Sequence, residues 1–307
     1  MDVGVIGVGM MGKNHVRVYS ELKRVSHLGI FDMNAEAASA MGKQHGAAVY
    51  KTVEDLLNHV DAVSICVPTQ FHASVAEKVF SAKKHAFIEK PICATTTEAR
   101  TLMGKAPKSV TIGVGHIERF NPIIDEIKKI VTKPLYIEMK RHNPASARVT
   151  GSSVVEDLMI HDIDIVLNSF FPHPDAIFSV GNADLCSVLL KCGGVPVALS
   201  ASRKASKKIR MIYIEQEEFT VEGDFMTQEV TIYRKPGRYQ FENERYVQEN
   251  IIEKVMVNKV EPLKVELSTF IDCAEKGLPF PITPEQAIRN LDLSERIQAG
   301  FHHGISS

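Results

Sequence analysis

No stretch of about 18 consecutive apolar residues occurs in the chain, which leaves no candidate for a membrane-spanning helix. The N-terminus lacks a charged segment followed by a long apolar one, so no signal peptide is expected and the cytoplasm is the expected location. An excess of one charge is missing too: 36 Lys and Arg stand against 37 Asp and Glu, a formal net charge of -1. Such a chain has no global field to hold nucleic acid or an anionic membrane, and any polyanion site must be local. Cysteine is scarce, and the five residues (Cys66, Cys93, Cys186, Cys192, Cys273) are widely spaced without a CxxC pair. That argues against a disulfide framework and against a structural zinc site. Internal repeats and low-complexity segments are also absent. What remains is 307 residues, 44% hydrophobic and 24% charged, the composition of an ordinary globular chain of two domains.

Short apolar, β-branched runs alternate with helical segments from Val3 to His116. The strand candidates are Val3 to Ile6, Leu28 to Phe31, Ala62 to Val67, Ala86 to Ile88 and Val110 to Val114. Each is apolar on both faces, as expected of a parallel sheet covered by helices on both sides. Thr52 with Asp55, and Thr95 to Thr97, read as helix starts. Beyond His116 a helix from Pro122 to Val131, a strand from Leu135 to Lys140 and a helix from Val155 to Phe170 come first. Strands then dominate: Ile177 to Gly181, Ser187 to Leu190, Pro196 to Ala201, Ile209 to Glu215, Glu218 to Glu222, Val230 to Arg234 and Val255 to Val257. Without intervening helices these predict a large, mostly antiparallel sheet. Helices from Leu263 to Lys276 and from Thr283 onward close the chain. The expected fold is an α/β Rossmann domain, a doubly wound parallel sheet, over 1–118, and an α+β domain over 119–307. The closing helices are free to pack back on the first domain.

The first strand runs into Gly7-Val8-Gly9-Met10-Met11-Gly12. In such a GxGxxG turn the first glycine permits a tight bend, the second lets backbone approach a pyrophosphate and the third lets helix and strand pack closely. Backbone N–H groups around Gly9, Met10, Met11 and Gly12 then offer an anion site at a helix N-terminus. Asp32, at the end of the second strand, is placed to accept both ribose hydroxyls. Met33 and Asn34 follow it with no arginine to neutralise a 2′-phosphate, so NAD is expected rather than NADP.

The fifth strand ends in Glu89-Lys90-Pro91, at the sheet edge where ligands sit in open α/β folds. A lysine there can stabilise charge developing on a substrate oxygen, or it can be a solvated lysine at a strand end. On a helix Asp157 and His161 are four residues apart, so the carboxylate can orient the imidazole and stabilise its protonated form. That suits a general base. A structural histidine and a metal site are the other readings, the latter opposed by the lack of a second histidine at ligand spacing. Asp164 reads as a cap or supporting partner.

Taken in order, the glycine turn, Cys66-Val67-Pro68-Thr69 with His72, Glu89-Lys90-Pro91, Gly115-His116-Ile117-Glu118-Arg119-Phe120-Asn121-Pro122 and Asp157 through Asp164 resemble the Gfo/Idh/MocA oxidoreductases over nearly the whole chain. The resemblance implies that Lys90 is the lysine of the family's EKP motif, with Glu89 beside it on the cofactor side, and that Asp157 and His161 are its Asp-x-x-x-His pair. Pro68, Thr69 and His72 match the loop beside the nicotinamide. Met159 stands where family members often have glycine. The implied activity is oxidation of a secondary hydroxyl of a sugar or sugar nucleotide with NAD. UDP-N-acetylglucosamine at its 3-hydroxyl is the specific expectation. Inositol or free-sugar dehydrogenases, an NAD-using glycosidase and a non-catalytic dinucleotide-binding regulator are the alternatives.

A nucleotide sugar needs cations for its diphosphate. The segment from Arg203 to Arg210 carries five, and it reads either as a local anion site or as a solvated hairpin tip. Arg119, Asn121, Arg141 and Arg203 are the substrate candidates, with Arg148 a further phosphate partner. Few helices lie between Phe171 and Leu263, too few to cover the second sheet on both faces. A homodimer or homotetramer built sheet to sheet is expected.

Overall fold

A computed structural model describes residues 1–144, 152–236, 239–242, 245–248 and 250–303. Arg148 lies outside them. Six parallel strands, β1 (Asp2–Ile6), β2 (His27–Phe31), β3 (Ala48–Val49), β4 (Ala62–Ile65), β5 (His85–Glu89) and β6 (Ile112–Gly115), form one sheet in the order β3-β2-β1-β4-β5-β6. The order reverses between β1 and β4. In a doubly wound sheet that reversal opens a crevice at the carboxyl ends of the two strands, and the glycine turn leaves β1 there. Strands β1, β4 and β5 are buried along nearly their whole length, which is why they read as continuous apolar runs. The helices between them start where short polar side chains satisfy first-turn N–H groups. Thr52 accepts from Asp55 N, Thr95 from Glu98 N and Asn34 from Ala37 N.

Contacts divide the chain into two compact units, Met1–Ile117 with Glu261–Asp292, and Glu118–Val260 with Leu293–Ser307. The second domain expected over 119–307 is therefore interrupted. The helix Pro262–Lys276 joins the first unit because its Phe270 packs edge-on against Phe87 of β5, ring centroids 5.4 Å apart, with Phe280 completing the cluster. Pro284–Ala299 opens with a reciprocal capping box: Thr283 N donates to Gln286 Oε1 and Gln286 N to Thr283 Oγ1.

The second unit holds β7 (Tyr136–His142), β8 (Ala176–Gly181), β9 (Leu185–Cys192), β10 (Val195–Ser202), β11 (Ile209–Glu215), β12 (Phe219–Asp224), β13 (Glu229–Arg234), the separate hairpin β14 (Tyr239–Glu242) and β15 (Arg245–Gln248), and β16 (Ile251–Val255). Eight of them make a sheet in the order β16-β13-β12-β11-β7-β10-β9-β8. It is antiparallel except where β7 runs parallel to β10. The strand expected at Val255 to Val257 lies instead at Ile251–Val255. Its register with β13, from Val230↔Val255 to Arg234↔Ile251, runs back toward the N-terminus. On the inner face Ile137, Met139, Leu199, Ile212, Ile214 and Val221 meet Ile123 and Ile127 of the helix Pro122–Ile130 and the apolar side of the helix that follows β7. That helix has an α segment, Ile160–Ile165, between two π turns, Val155–Met159 and Val166–Phe170.

Candidate active site

The turn after β1 is built for a closely approaching ligand. Gly7 has φ +92°, and a Cβ there would sit 2.8 Å from Val67 N; at Gly12 it would sit 1.8 Å from Gly7 O. Neither position admits a side chain. At Gly9 a Cβ would meet nothing within 4 Å, so this exposed backbone faces open space at the start of the helix Met10–Glu21. No side chain caps that helix, and its first-turn N–H groups are left for an anion. Asp32 is fixed at the end of β2 by two backbone donors, Val8 N to Oδ2 at 2.6 Å and Asn34 N to Oδ1 at 2.8 Å. The glycine turn and the carboxylate are thus tied together. Space, unpaired N–H donors and a held carboxylate fit a dinucleotide, with the pyrophosphate at Gly9 and a ribose at Asp32.

Lys90 follows β5, and its neighbours are buried. Glu89 is 6% exposed, its Oε1 accepting from His15 Nε2 at 2.8 Å and its Oε2 from Lys90 N at 3.2 Å. Burial works against the Glu89 carboxylate, but the His15 hydrogen bond and the nearby Lys90 charge bring its pKa below the ordinary glutamate value. Thr69 starts a short turn, Thr69–Phe71, with Pro68 exposed before it. His72 is 1% exposed. Its Nδ1 lies 2.9 Å from Pro91 O and its Nε2 2.9 Å from Val67 O. Both ring nitrogens face backbone carbonyls, and the single N–H of the neutral ring donates to one of them, so His72 supports the loop and does not line it.

In the second unit Asp157 and His161 lie on the helix with the π turns, and Arg203 Nη2 reaches Asp157 Oδ2 at 3.3 Å. Arg203 also donates to Ser152 O and Ser153 O, which commits its guanidinium to the start of that helix. Arg141 is 1% exposed, with Nε and Nη2 donating to Asp162 Oδ1 and Nη1 to Glu118 Oε1. Flanked by two buried carboxylates, it is raised further above its ordinary pKa, while burial pushes the Asp162 carboxyl up against the pull of that cation. Asn121 is buried, donating to Phe225 O and Glu118 Oε2 and capping the helix Pro122–Ile130.

Three of the four expected substrate residues, Asn121, Arg141 and Arg203, thus spend their donors on partners within the second unit. Arg119 pairs with Asp164 at 3.8 Å. Within the cationic run Lys204 pairs with Asp184, while Lys207 and Lys208 have no carboxylate within 4.0 Å among the described residues. The Arg210 charge holds the Lys208 ammonium below the ordinary lysine range. The signal for Arg141 was present in the sequence, since it shares parity with Ile137 and Met139 on β7 and so continues their buried face. Among the described residues no three His, Cys, Asp or Glu side chains gather as a metal site, and no helix is long and apolar enough to cross a membrane.

A parallel sheet with a glycine cradle and an aspartate held beside it, followed in the chain by a large mixed sheet, is the architecture of a dinucleotide-dependent oxidoreductase. The chain belongs to the Gfo/Idh/MocA oxidoreductases: residues 1–116 match the oxidoreductase family, NAD-binding Rossmann fold. UDP-N-acetylglucosamine 3-dehydrogenase of Acidithiobacillus ferrooxidans is 34% identical over 244 residues, 76% of this chain and 77% of that protein. A solved structure of that dehydrogenase is similar with a TM-score of 0.89 at 29% identity, covering 99% of this chain and 98% of that one. Myo-inositol 2-dehydrogenase of Thermotoga maritima is 25% identical over 259 residues, 80% of this chain and 76% of that protein.

Proposed function

We propose that the protein oxidises the 3-hydroxyl of UDP-N-acetylglucosamine with NAD. The observation that carries this reading is the likeness to the Acidithiobacillus enzyme, 34% identity over 76% of the chain, against 25% to the inositol enzyme. Lys90 donates to the substrate hydroxyl and stabilises the negative charge that develops on its oxygen. His161 takes the hydroxyl proton, and the Asp157 carboxylate, anchored by Arg203, favours the resulting imidazolium. When bound, the dinucleotide supplies the hydride acceptor. Asp32 favours NAD, because a held carboxylate accepts two ribose hydroxyls and repels a 2′-phosphate. Lys207 and Lys208 are the cations offered to the substrate diphosphate, beside Arg210, whose Nη1 already donates to Glu118 Oε1; the diphosphate would relieve the repulsion between Lys208 and Arg210. A sensor that only binds dinucleotide would need neither Lys90 nor His161.

The outer face of the eight-stranded sheet leaves Phe178, Val180, Leu189 and Ile252 exposed, and we assign it to a homo-oligomer contact. The function is tested by incubating the protein with NAD and a panel of UDP-sugars, free sugars and myo-inositol while following reduced cofactor by absorbance. UDP-N-acetylglucosamine should give the highest kcat/KM. Lys90→Met and His161→Ala should each lower kcat by about 10²-fold or more with little change in NAD affinity. Faster turnover of myo-inositol would transfer the reading to the inositol branch.

A further inference from the structure

Two buried histidines grip the residues on either side of Lys90. His15 is fully buried and 2.8 Å from Glu89, the residue before the lysine; His72 is 2.9 Å from the carbonyl of Pro91, the residue after it. Each comes from a helix that begins at the dinucleotide site. His15 lies three residues past Gly12 in Met10–Glu21, and His72 lies three past Thr69 at the head of His72–Ser81. Core packing alone does not account for them, since apolar side chains would fill these positions without the cost of burying imidazoles. Among the described residues His15 Nδ1 has no hydrogen-bond partner, so the Glu89 bond is the polar contact that justifies its burial. Glu89 in turn holds Lys90 N through its second oxygen, and that chain of bonds runs from the glycine-turn helix to the lysine backbone.

We propose that His15 and His72 are positioning residues that clip Glu89 and Pro91 in place and thereby set where the Lys90 ammonium lies. The proposal rests on the reading of Lys90 given above. A displacement of about 1 Å at a reacting group costs up to about 10²-fold in rate, whereas distant binding contacts are spared. Loss of either clip should therefore appear in kcat and leave dinucleotide affinity nearly intact.

The test compares His15→Ala with His15→Gln, and His72→Asn with His72→Gln. Gln presents a donor where His Nε2 lies, and Asn where Nδ1 lies. His15→Ala should lower kcat by about tenfold or more with the NAD Kd within about threefold, and His15→Gln should recover most of the loss. His72→Asn, which keeps the Pro91 clip, should exceed His72→Gln, which keeps only the Val67 contact. A readout that needs no substrate is amide exchange in the peptide spanning residues 86–93, which should quicken in His15→Ala and in His72→Gln. If His15→Ala does not fold, the contrast between the two His72 variants decides. Unchanged exchange in that peptide, or a kcat loss matched by an equal loss of NAD affinity, overturns the proposal. A wild-type protein inactive toward every UDP-sugar overturns the function instead, and the exchange result still judges the clips.

Discussion

Asp32 accepts from Val8 N and Asn34 N, so its orientation is set before any ligand arrives. On the proposed function, Asp32→Ser removes both a ribose acceptor and a like charge that would repel a 2′-phosphate. The ratio of NAD to NADP affinity should fall by at least about tenfold, measured by fluorescence titration; an unchanged ratio would remove Asp32 from the site. At Arg141 the issue is burial. Arg141→Met strands Asp162 without its cation and leaves Glu118 only Arg210, and removing one partner of a buried ion pair costs about 3 to 5 kcal/mol. Denaturant unfolding should register that loss with the dinucleotide affinity intact. His72 gives a pH dependence. Burial holds its pKa below the ordinary 6.5, so between the folded and unfolded values the unfolded chain binds more protons. Stability should be complete above about pH 6.5 and fall as the pH drops through that window. A thermal midpoint that does not move between about pH 7.5 and 5.5 would contradict this.

Among the elements, those with explicit chemical signals were legible. The glycine turn and the Thr52, Thr95 and Thr283 helix starts stand where the sequence places them. Thr283→Ala should cost about 1 kcal/mol in unfolding free energy, the usual worth of such a cap. The helix from Val155 to Phe170 was also legible, but its two π turns were not. A single extra residue per turn leaves no mark in a 3.6-residue hydrophobic period. Strand β16 was misplaced because Ile251 and Ile252 are both exposed and the run Val255 to Val257 looks equally strand-like. The pairing of β7 between β10 and β11 was invisible, since period-two patterning names a buried face and never a neighbour.

At the level of the whole molecule, the first sheet and its cofactor turn were readable because local glycine chemistry is tied to one topology. The recruitment of Glu261–Asp292 into that unit was not, since it depends on the packing of Phe270 and Phe280 on Phe87 across about two hundred residues of chain. The exposed face of the second sheet carries an assembly prediction. Phe178 and Val180 are 66% and 78% exposed on edge strand β8, and exposed apolar patches are the surfaces on which proteins associate. Sedimentation equilibrium at micromolar concentration should show a dimer or tetramer. A lone 34.0 kDa species would refute it.

Strand β7 also governs how the second sheet comes together. Strands β8, β9 and β10 form one meander of near neighbours, and β11, β12 and β13 another, but β10 and β11 do not touch in the strand order. Each meander can assemble locally and quickly, whereas the join must wait for residues 136–142 to capture partners about sixty to eighty positions later in the chain. Until then both meanders present an unpaired edge, which is the surface that seeds aggregation. The slow step of refolding should therefore be the insertion of β7. A substitution such as Met139→Ala should retard folding strongly, while Val188→Ala on β9 should mainly hasten unfolding, a contrast that stopped-flow chevrons would display.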